Sequence, residues 1–400
     1  MPQYSYEAVG SQNKVVRGVA EAERPEDVVS ILRETGLYTY SIRPHKPVSF
    51  FRIRKRRIVR IADLVVLTRQ FATLLDSGIP VTQSLSILAR QSSNVALSKA
   101  LARITTEVRG GSSLAASFGK YTDIFDELFV SMLQAGEMGG NLIQTMTRLS
   151  DHLEKEKKLK DNIKSAANYP KVVGAFAVVM FVVMMVFMVP SFKRFASEGS
   201  KIPTITLLIY QISDSMRGQW YIWLLAIFLV VVLSTAFFNS RTGNEIWEKR
   251  KLRLPLIGSL VSKTVISRFV RTLATLLRGG VPIVAALETS GPTSGSLLVG
   301  NAVQAAAREI EVGRTISKPL SASGVFPPMV IEMISIGEES GNLPDMLDKI
   351  SEFYDDEVES ESKKLGTTME PLLLIVVGGI VGVMLIALYL PMFSSVLSYS

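Results

Sequence analysis

Three stretches of the chain contain no Asp, Glu, Lys, Arg or His: VVGAFAVVMFVVMMVFMV (172–189), WYIWLLAIFLVVVLSTAFF (220–238) and LLLIVVGGIVGVMLIALYL (372–390). Each holds 18 or 19 residues, enough for a helix to cross the hydrocarbon core of a bilayer. As buried helices of a soluble protein, three such runs would need an improbably large core around them. Elsewhere the pattern is amphipathic. Leu64, Leu67, Phe71, Leu74 and Leu75 recur at steps of three and four residues and predict a helix. DSGIP interrupts it, with Gly78 suited to closing one helix and Pro80 to the first turn of the next, where Leu85, Leu88 and Ala89 line one face. DELFVSMLQAGEMGGNLIQTMTRLSDHL predicts a second hairpin. Gly139 and Gly140 end its first helix, Asn141 caps the next, and Gln144 stands at the capping-box position. The helical pattern then continues through Met146, Leu149, Leu153, Leu159, Ile163 and Ala167 to Pro170, a length of about 43 Å. A proline at that point interrupts the backbone ladder and predicts a kink where the amphipathic helix meets the apolar run.

The first residues follow another period. Tyr4, Tyr6 and Ala8 alternate in YSYEAV, KVVRGVAEA gives a second strand, RPEDVVSILRETG an amphipathic helix and LYTYSIR a third strand. The expected fold is therefore mainly α: a polytopic membrane protein with two duplicated cytosolic helical-bundle modules, three transmembrane helices and a small N-terminal α+β unit.

The duplication is read by sliding the chain against itself. TLLDSGIP (73–80) matches TLLRGGVP (275–282) at an offset of 202, so Gly280 and Pro282 repeat the first hairpin. Beyond Gly111 and Gly313 one residue is lost and the offset becomes 201: Phe125 with Phe326, Gly140–Asn141–Leu142 with Gly341–Asn342–Leu343, Pro170 with Pro371 and Pro190 with Pro391. Each copy is a module followed directly by an apolar run, and the unrepeated run 220–238 returns the chain between them. The repeats are parallel. Transporters commonly use inverted repeats with ionisable groups inside the spans, and neither feature is present in these runs.

AGEMGGNL (135–142) and IGEESGNL (336–343) repeat a glutamate along with the turn. In the second copy Asn342 caps, Pro344 lies in the first turn and Asp345 takes the partner position. Glycine and asparagine are turn chemistry; Glu137 and Glu338 are not. Each sits in the last turn of a helix, where the dipole disfavours negative charge by about 0.3–1 kcal/mol. Either a basic residue of the same bundle offsets this, or the carboxylates serve a partner or oligomer interface or bind a cation.

The organisation expected is an α+β unit at 1–48, a basic linker at 49–62, modules at 63–171 and 239–371, spans at 172–190, 220–238 and 372–392, an extracytoplasmic loop at 191–219 and a tail at 393–400. The amino terminus lacks the pattern of a signal peptide, so the modules are placed in the cytosol and the C-terminus outside. Lysines 155–171 before the first span and basic residues 241–253 after the second agree, although four basic residues in the outer loop moderate the contrast. The linker FFRIRKRRIVR carries Arg52, Arg54, Lys55, Arg56, Arg57 and Arg60, read as a solvated strip, a strip on anionic lipid or a partner-binding segment. The net charge of +8 suits an anionic membrane surface; its placement beside spans argues against nucleic acid.

An enzyme is not expected, nor any cofactor or metal. The chain has no cysteine and two histidines in different segments, His45 and His152. FGKYT (118–122) lacks the glycine (Leu114 stands there) and the Ser or Thr (Tyr121) of a phosphate loop.

Taken together, RQFATLLDSGIPVTQSLSIL, RTLATLLRGGVPIVAALE, the twofold GExxGNL element and the N-terminal segment make the whole chain resemble the secretion F family, the polytopic inner-membrane platform proteins of type II secretion and type IV pilus machines. One departure is Asp126, where the second copy and the family have proline (Pro327). The resemblance implies a non-enzymatic platform that oligomerises, faces a hexameric secretion or pilus ATPase, and meets pilin or pseudopilin subunits and other inner-membrane assembly proteins. The alternative is a transporter or another membrane scaffold built from parallel repeats.

Overall fold

The alternating N-terminal segment forms a three-stranded antiparallel sheet in the computed structural model, which describes residues 3–9, 15–21, 25–34, 38–44, 59–193, 204–240 and 257–397, with Gly243, Trp247 and Lys251. Strands β1 (Gln3–Val9), β2 (Val15–Glu21) and β3 (Tyr38–Pro44) are ordered β2-β1-β3, and α1 (Pro25–Glu34) connects β2 to β3. Tyr6 pairs with Gly18 on one side and Ile42 on the other, and the β1–β3 register shifts between Glu7 and Ala8. This segment is a unit of its own. Arg52, Arg54, Lys55, Arg56 and Arg57 of the basic strip lie outside the described residues. Arg60 precedes α2, and its backbone N–H donates to Asp63 Oδ2 at 3.1 Å.

The rest is helical. The first module consists of α2 (Ile61–Asp76), α3 (Val81–Gln91), α4 (Val95–Arg109), α5 (Leu114–Gly119), α6 (Glu127–Met138) and the start of α7 (Leu142–Val183). A π turn (Met184–Met188), α8 (Val189–Lys193), α9 (Thr204–Gly218) and α10 (Trp220–Asn239) follow. The second module repeats the first as α11 (Ile257–Arg278), α12 (Ile283–Thr293), α13 (Leu297–Glu311), α14 (Ser317–Ala322), α15 (Pro328–Glu339) and α16 (Leu343–Leu397). Both modules share one continuous apolar core. In the first, Phe118, Phe125 and Phe129 pack with ring centroids 4.7–5.5 Å apart. Leu320 and Val330 replace two of these rings in the second copy, and Phe269, the counterpart of Leu67, reaches Phe326 at 5.1 Å. Volume lost at one position is thus recovered at another.

Two expectations about helix ends are corrected. Asn141 makes no side-chain cap; its backbone N–H instead closes the preceding helix on the Gly136 carbonyl at 3.0 Å, with Gly140 left-handed at φ 68°. Asp345 pairs with Arg278 across the module. Gly78 and Gly280 do turn left-handed, but Pro80 and Pro282 stand one residue ahead of the first helical turn, as N-caps. The departure at Asp126 is a substitution of one cap for another. Its carboxylate accepts from the Phe129 N–H at 2.9 Å, whereas Pro327 and Pro328 open α15 without a side-chain bond.

Pro170 and Pro371 do not end their helices. Both lie inside unbroken ones, of 42 and 55 residues, so each module and its apolar run share a single rod. A π turn lies further along, before Pro190. There the Val189 N–H bonds the Met184 carbonyl, five residues back. The Met185 carbonyl could reach only residue 190 in that register, and Pro190 has no N–H. Ser213 of α9 supplies the missing donor, at 2.6 Å in a buried position. Pro391 likewise deprives the Ala387 carbonyl of its usual donor, and Thr206 of α9 donates to it at 2.8 Å. The stretch expected as a loop therefore contains a helix that holds the far ends of both rods. Met184, Met185, Val189, Ile209, Tyr210, Met384, Ala387 and Leu388 close the apolar contact. Replacing Ser213 with alanine or Thr206 with valine leaves a buried carbonyl unmet. Each is expected to cost about 1–3 kcal/mol, read as a lower thermal midpoint of the full chain in detergent; unchanged midpoints would show that the far ends do not depend on α9.

Among the described residues three helices are long and apolar enough to cross a membrane, with mean hydropathies of 2.9, 2.5 and 2.8 over their most apolar windows. The middle one, Trp220–Phe238, is not buried anywhere inside the protein, so its surroundings must be lipid or another chain.

Candidate functional site

The repeated octet has a separate task for each of its residues. Gly136 is where α6 and α7 cross: a Cβ there would lie 2.7 Å from Thr145 Oγ1. At Gly337 a Cβ would lie 3.0 Å from Leu343 Cα and 3.1 Å from Met346 Cβ. The glutamate one residue on reaches back across the module. Glu137 accepts from the backbone N–H groups of Leu114 (2.9 Å) and Ala115 (3.3 Å). Glu338 accepts from Ile316 (2.8 and 3.0 Å) and Ser317 (3.4 Å), the same two positions in the second copy. These amides begin short helices, α5 and α14, where N–H groups lack intrahelical partners. The carboxylate is thus offset by the positive end of another helix rather than by a basic side chain. Sequence reasoning supplied the need for a partner but not its identity, because backbone amides carry no letter.

A second cluster went unread in the sequence. It lies where α11 of the second module packs on α6 and α7 of the first. Arg271 is buried, with 3% of its side chain exposed. It binds Asp355 on α16, donates to Ser267 Oγ at 2.8 Å, and stands 3.5 Å from Glu156 on α7. Arg268 joins Glu156 at 3.0 Å, and Ser267 donates to Asp355 at 2.6 Å. One signal was available: Arg69 and Glu154 are the repeat counterparts of Arg271 and Asp355, and they pair at 2.8 Å in the first module, exposed. The conserved spacing marked a pair, while its burial depends on the neighbouring module.

His152 of α7, ahead of the apolar run, completes the cluster. Thr275 Oγ1 donates to the Arg271 carbonyl at 2.7 Å and so accepts from His152 Nδ1 at 3.0 Å, which places the ring proton on Nδ1. Burial first, and then the charges of Arg271 and Lys155, push its pKa from 6.5 down to about 3. The unfolded chain therefore binds this proton first as pH falls. The contribution of neutral His152 is intact above pH 6.5 and is lost progressively down to about pH 3, at up to about 1.4 kcal/mol per pH unit. Thermal midpoints between pH 7 and 5 should fall less steeply in His152→Gln than in the parent; parallel slopes would remove His152 as the cause.

Among the described residues no three His, Asp or Glu side chains converge as metal ligands. The arrangement can transmit force and hold modules together.

The family model described as type II secretion system protein F matches residues 67–190 and again 269–391, and that of its N-terminal domain matches residues 1–43. Type IV pilus assembly protein PilC of Myxococcus xanthus is 36% identical over 98% of this chain and 94% of its own length. PilC of Thermus thermophilus is 35% identical over 98% of both chains. Type II secretion system protein F of Pseudomonas aeruginosa is 30% identical, again over 98% of both. With both repeats and the N-terminal segment matched in order, and relatives 30–36% identical along almost the whole chain, the chain belongs to the type II secretion system protein F family.

Proposed function

We propose that the chain is the non-enzymatic inner-membrane platform of a type IV pilus or type II secretion machine, which couples a cytosolic hexameric ATPase to the addition of pilin or pseudopilin subunits. The observation that carries this is the unbroken passage of α7 and α16 from module to membrane span. A push on either module reaches the bilayer as tilt or rotation of a stiff rod, and no fuel-consuming site is needed in the chain itself. In this reading residues 63–171 and 239–371 are cytosolic modules, the N-terminus is inside and the C-terminus outside, and the basic strip Arg52–Arg60 lies on anionic lipid. Glu137 and Glu338 then act by stiffening each module, and any interface they serve is formed by the hairpins they hold.

The test is a four-residue glycine-serine insertion after Tyr169, which interrupts α7 beyond the buried contacts of Leu153 and Leu159 in the modules. Pilus or pseudopilus assembly in cells should be lost, while membrane level and capture of the cognate ATPase persist. Assembly at the parental level would exclude α7 as the coupling element.

A further inference from the structure

The two modules do not meet symmetrically. The first hairpin of module two, α11 with its turn, packs on α6 and α7 of module one. Among the described residues no comparable packing joins α2 or α3 to α15 or α16. One surface of each module is therefore used inside the chain, and the matching surface of the other module is left open.

The repeat offsets name the open residues. Inside the chain, Thr275 meets His152, Gly279 lies against Met132, and Arg268 and Arg271 approach Glu156. Their counterparts are Thr73, Ser77, Val66 and Arg69 on one open surface, and Phe353, Met333 and Glu357 on the other. Both surfaces expose apolar side chains. Val66 is 53% exposed, Phe353 47%, and Ile336, the counterpart of Ala135, 55%. Charges on the two surfaces are also compatible. Arg278 and Arg148, like charges lining one cavity of about 300 Å³ within the chain, correspond to Asp76 and Lys349, which are opposite. Arg69, which pairs with Glu154 within its own module, would face Glu357, which Lys263 holds at 2.5 Å. Ser77 has a side chain where Gly279 has none, but the atoms it would meet are the flexible end of Met333.

We infer that the α15–α16 face of one chain receives the α2 hairpin of a second copy, in a head-to-tail contact that repeats the one between modules. The bilayer permits this. The near ends of α7 and α16 belong to modules sharing one core, and their far ends are both held by α9, so the rods run parallel. The operation relating module one to module two therefore turns about the membrane normal, and applying it again keeps the next copy in the same bilayer with the same orientation. Such an interface is heterologous and builds rings or open arrays.

The chain has no native cysteine, which makes the test direct. Full-length Thr73→Cys carrying one tag and Phe353→Cys carrying another are co-expressed, and their membranes are oxidised. A disulfide-linked product with both tags, at twice the mass of one chain, is expected. Adding Ile336→Arg to the Phe353→Cys chain should lower its yield at least about tenfold, since a buried unpaired charge costs more than the 1.4 kcal/mol that tenfold requires. Adding Lys349→Glu to that chain should lower the yield as well, and Asp76→Lys in the Thr73→Cys chain should restore it. Thermal midpoints confirm that each variant is folded. Products linking only Thr73→Cys to itself would make the contact two-fold and overturn the inference. So would no mixed product, or a Phe353→Cys adduct with a protein of different mass. Pilus or pseudopilus assembly, read separately, tests the coupling function and not this contact.

Discussion

Arg271→Ala is expected to destabilise the protein by about 3–5 kcal/mol, because it leaves Asp355 charged and partly buried with its cation gone and Glu156 with Arg268 as a remaining, partly buried partner. The same truncation at its repeat counterpart, Arg69→Ala, is expected to cost no more than about 1 kcal/mol, since the Arg69–Glu154 pair is more than half exposed on both sides. The two variants share residue type, helix position and partner chemistry, so the difference isolates burial. Thermal midpoints of both, measured in the same detergent, check it. Equal losses would mean that the contact between modules does not seal the Arg271 cluster in solution. A third variant sharpens the result. Arg271→Met with Asp355→Leu removes the buried pair and leaves Glu156 to Arg268, and it should recover most of the loss, as uncharged replacements of buried ion pairs commonly do.

Glu137→Ala and Glu338→Ala are each expected to cost about 1.5–3 kcal/mol, the range for hydrogen bonds to a charged group, with two helix-initiating amides left unmet at each site. The two carboxylates share no partner, so the double variant should approach the sum. Glutamine keeps one acceptor oxygen, and its losses should be smaller in the same order. Assembly in cells should follow stability: variants that keep their thermal midpoint should assemble, and those that lose it should not. Loss of assembly with an unchanged midpoint would show instead that the carboxylates act on a partner.

Much of the site was legible as a demand rather than as a contact. The repeated glutamate at an unfavourable helix end required a compensating positive group, and the dipole argument stated that requirement correctly. Its source, the first amides of α5 and α14, depends on how far the chain folds back between residues 114 and 137. No periodicity reports that distance. The cap expected at Asn141 failed for a related reason. Asn141 satisfies the preceding helix through its backbone, and the left-handed Gly140 makes that closure available before the side chain is needed. The prolines act inside continuous helices, and the packing around them supplies what they withhold. Pro170 and Pro371 remain inside helices, and the carbonyls opposite Pro190 and Pro391 find hydroxyl donors on α9.

The sequence by itself determined whatever depends on near neighbours or on self-comparison. Apolar runs of membrane length, helical period, left-handed glycine turns and the duplication all follow from spacing along one dimension. The tertiary structure alone decided which copies of equivalent residues are buried. Arg69 and Arg271 occupy matching positions, yet one faces solvent and the other lies under α7. Two similar modules in one chain cannot both present the same face to each other in a head-to-tail contact, so one of each pair of surfaces is covered and its twin is left free. That asymmetry is a property of the packing, and no residue letter records it.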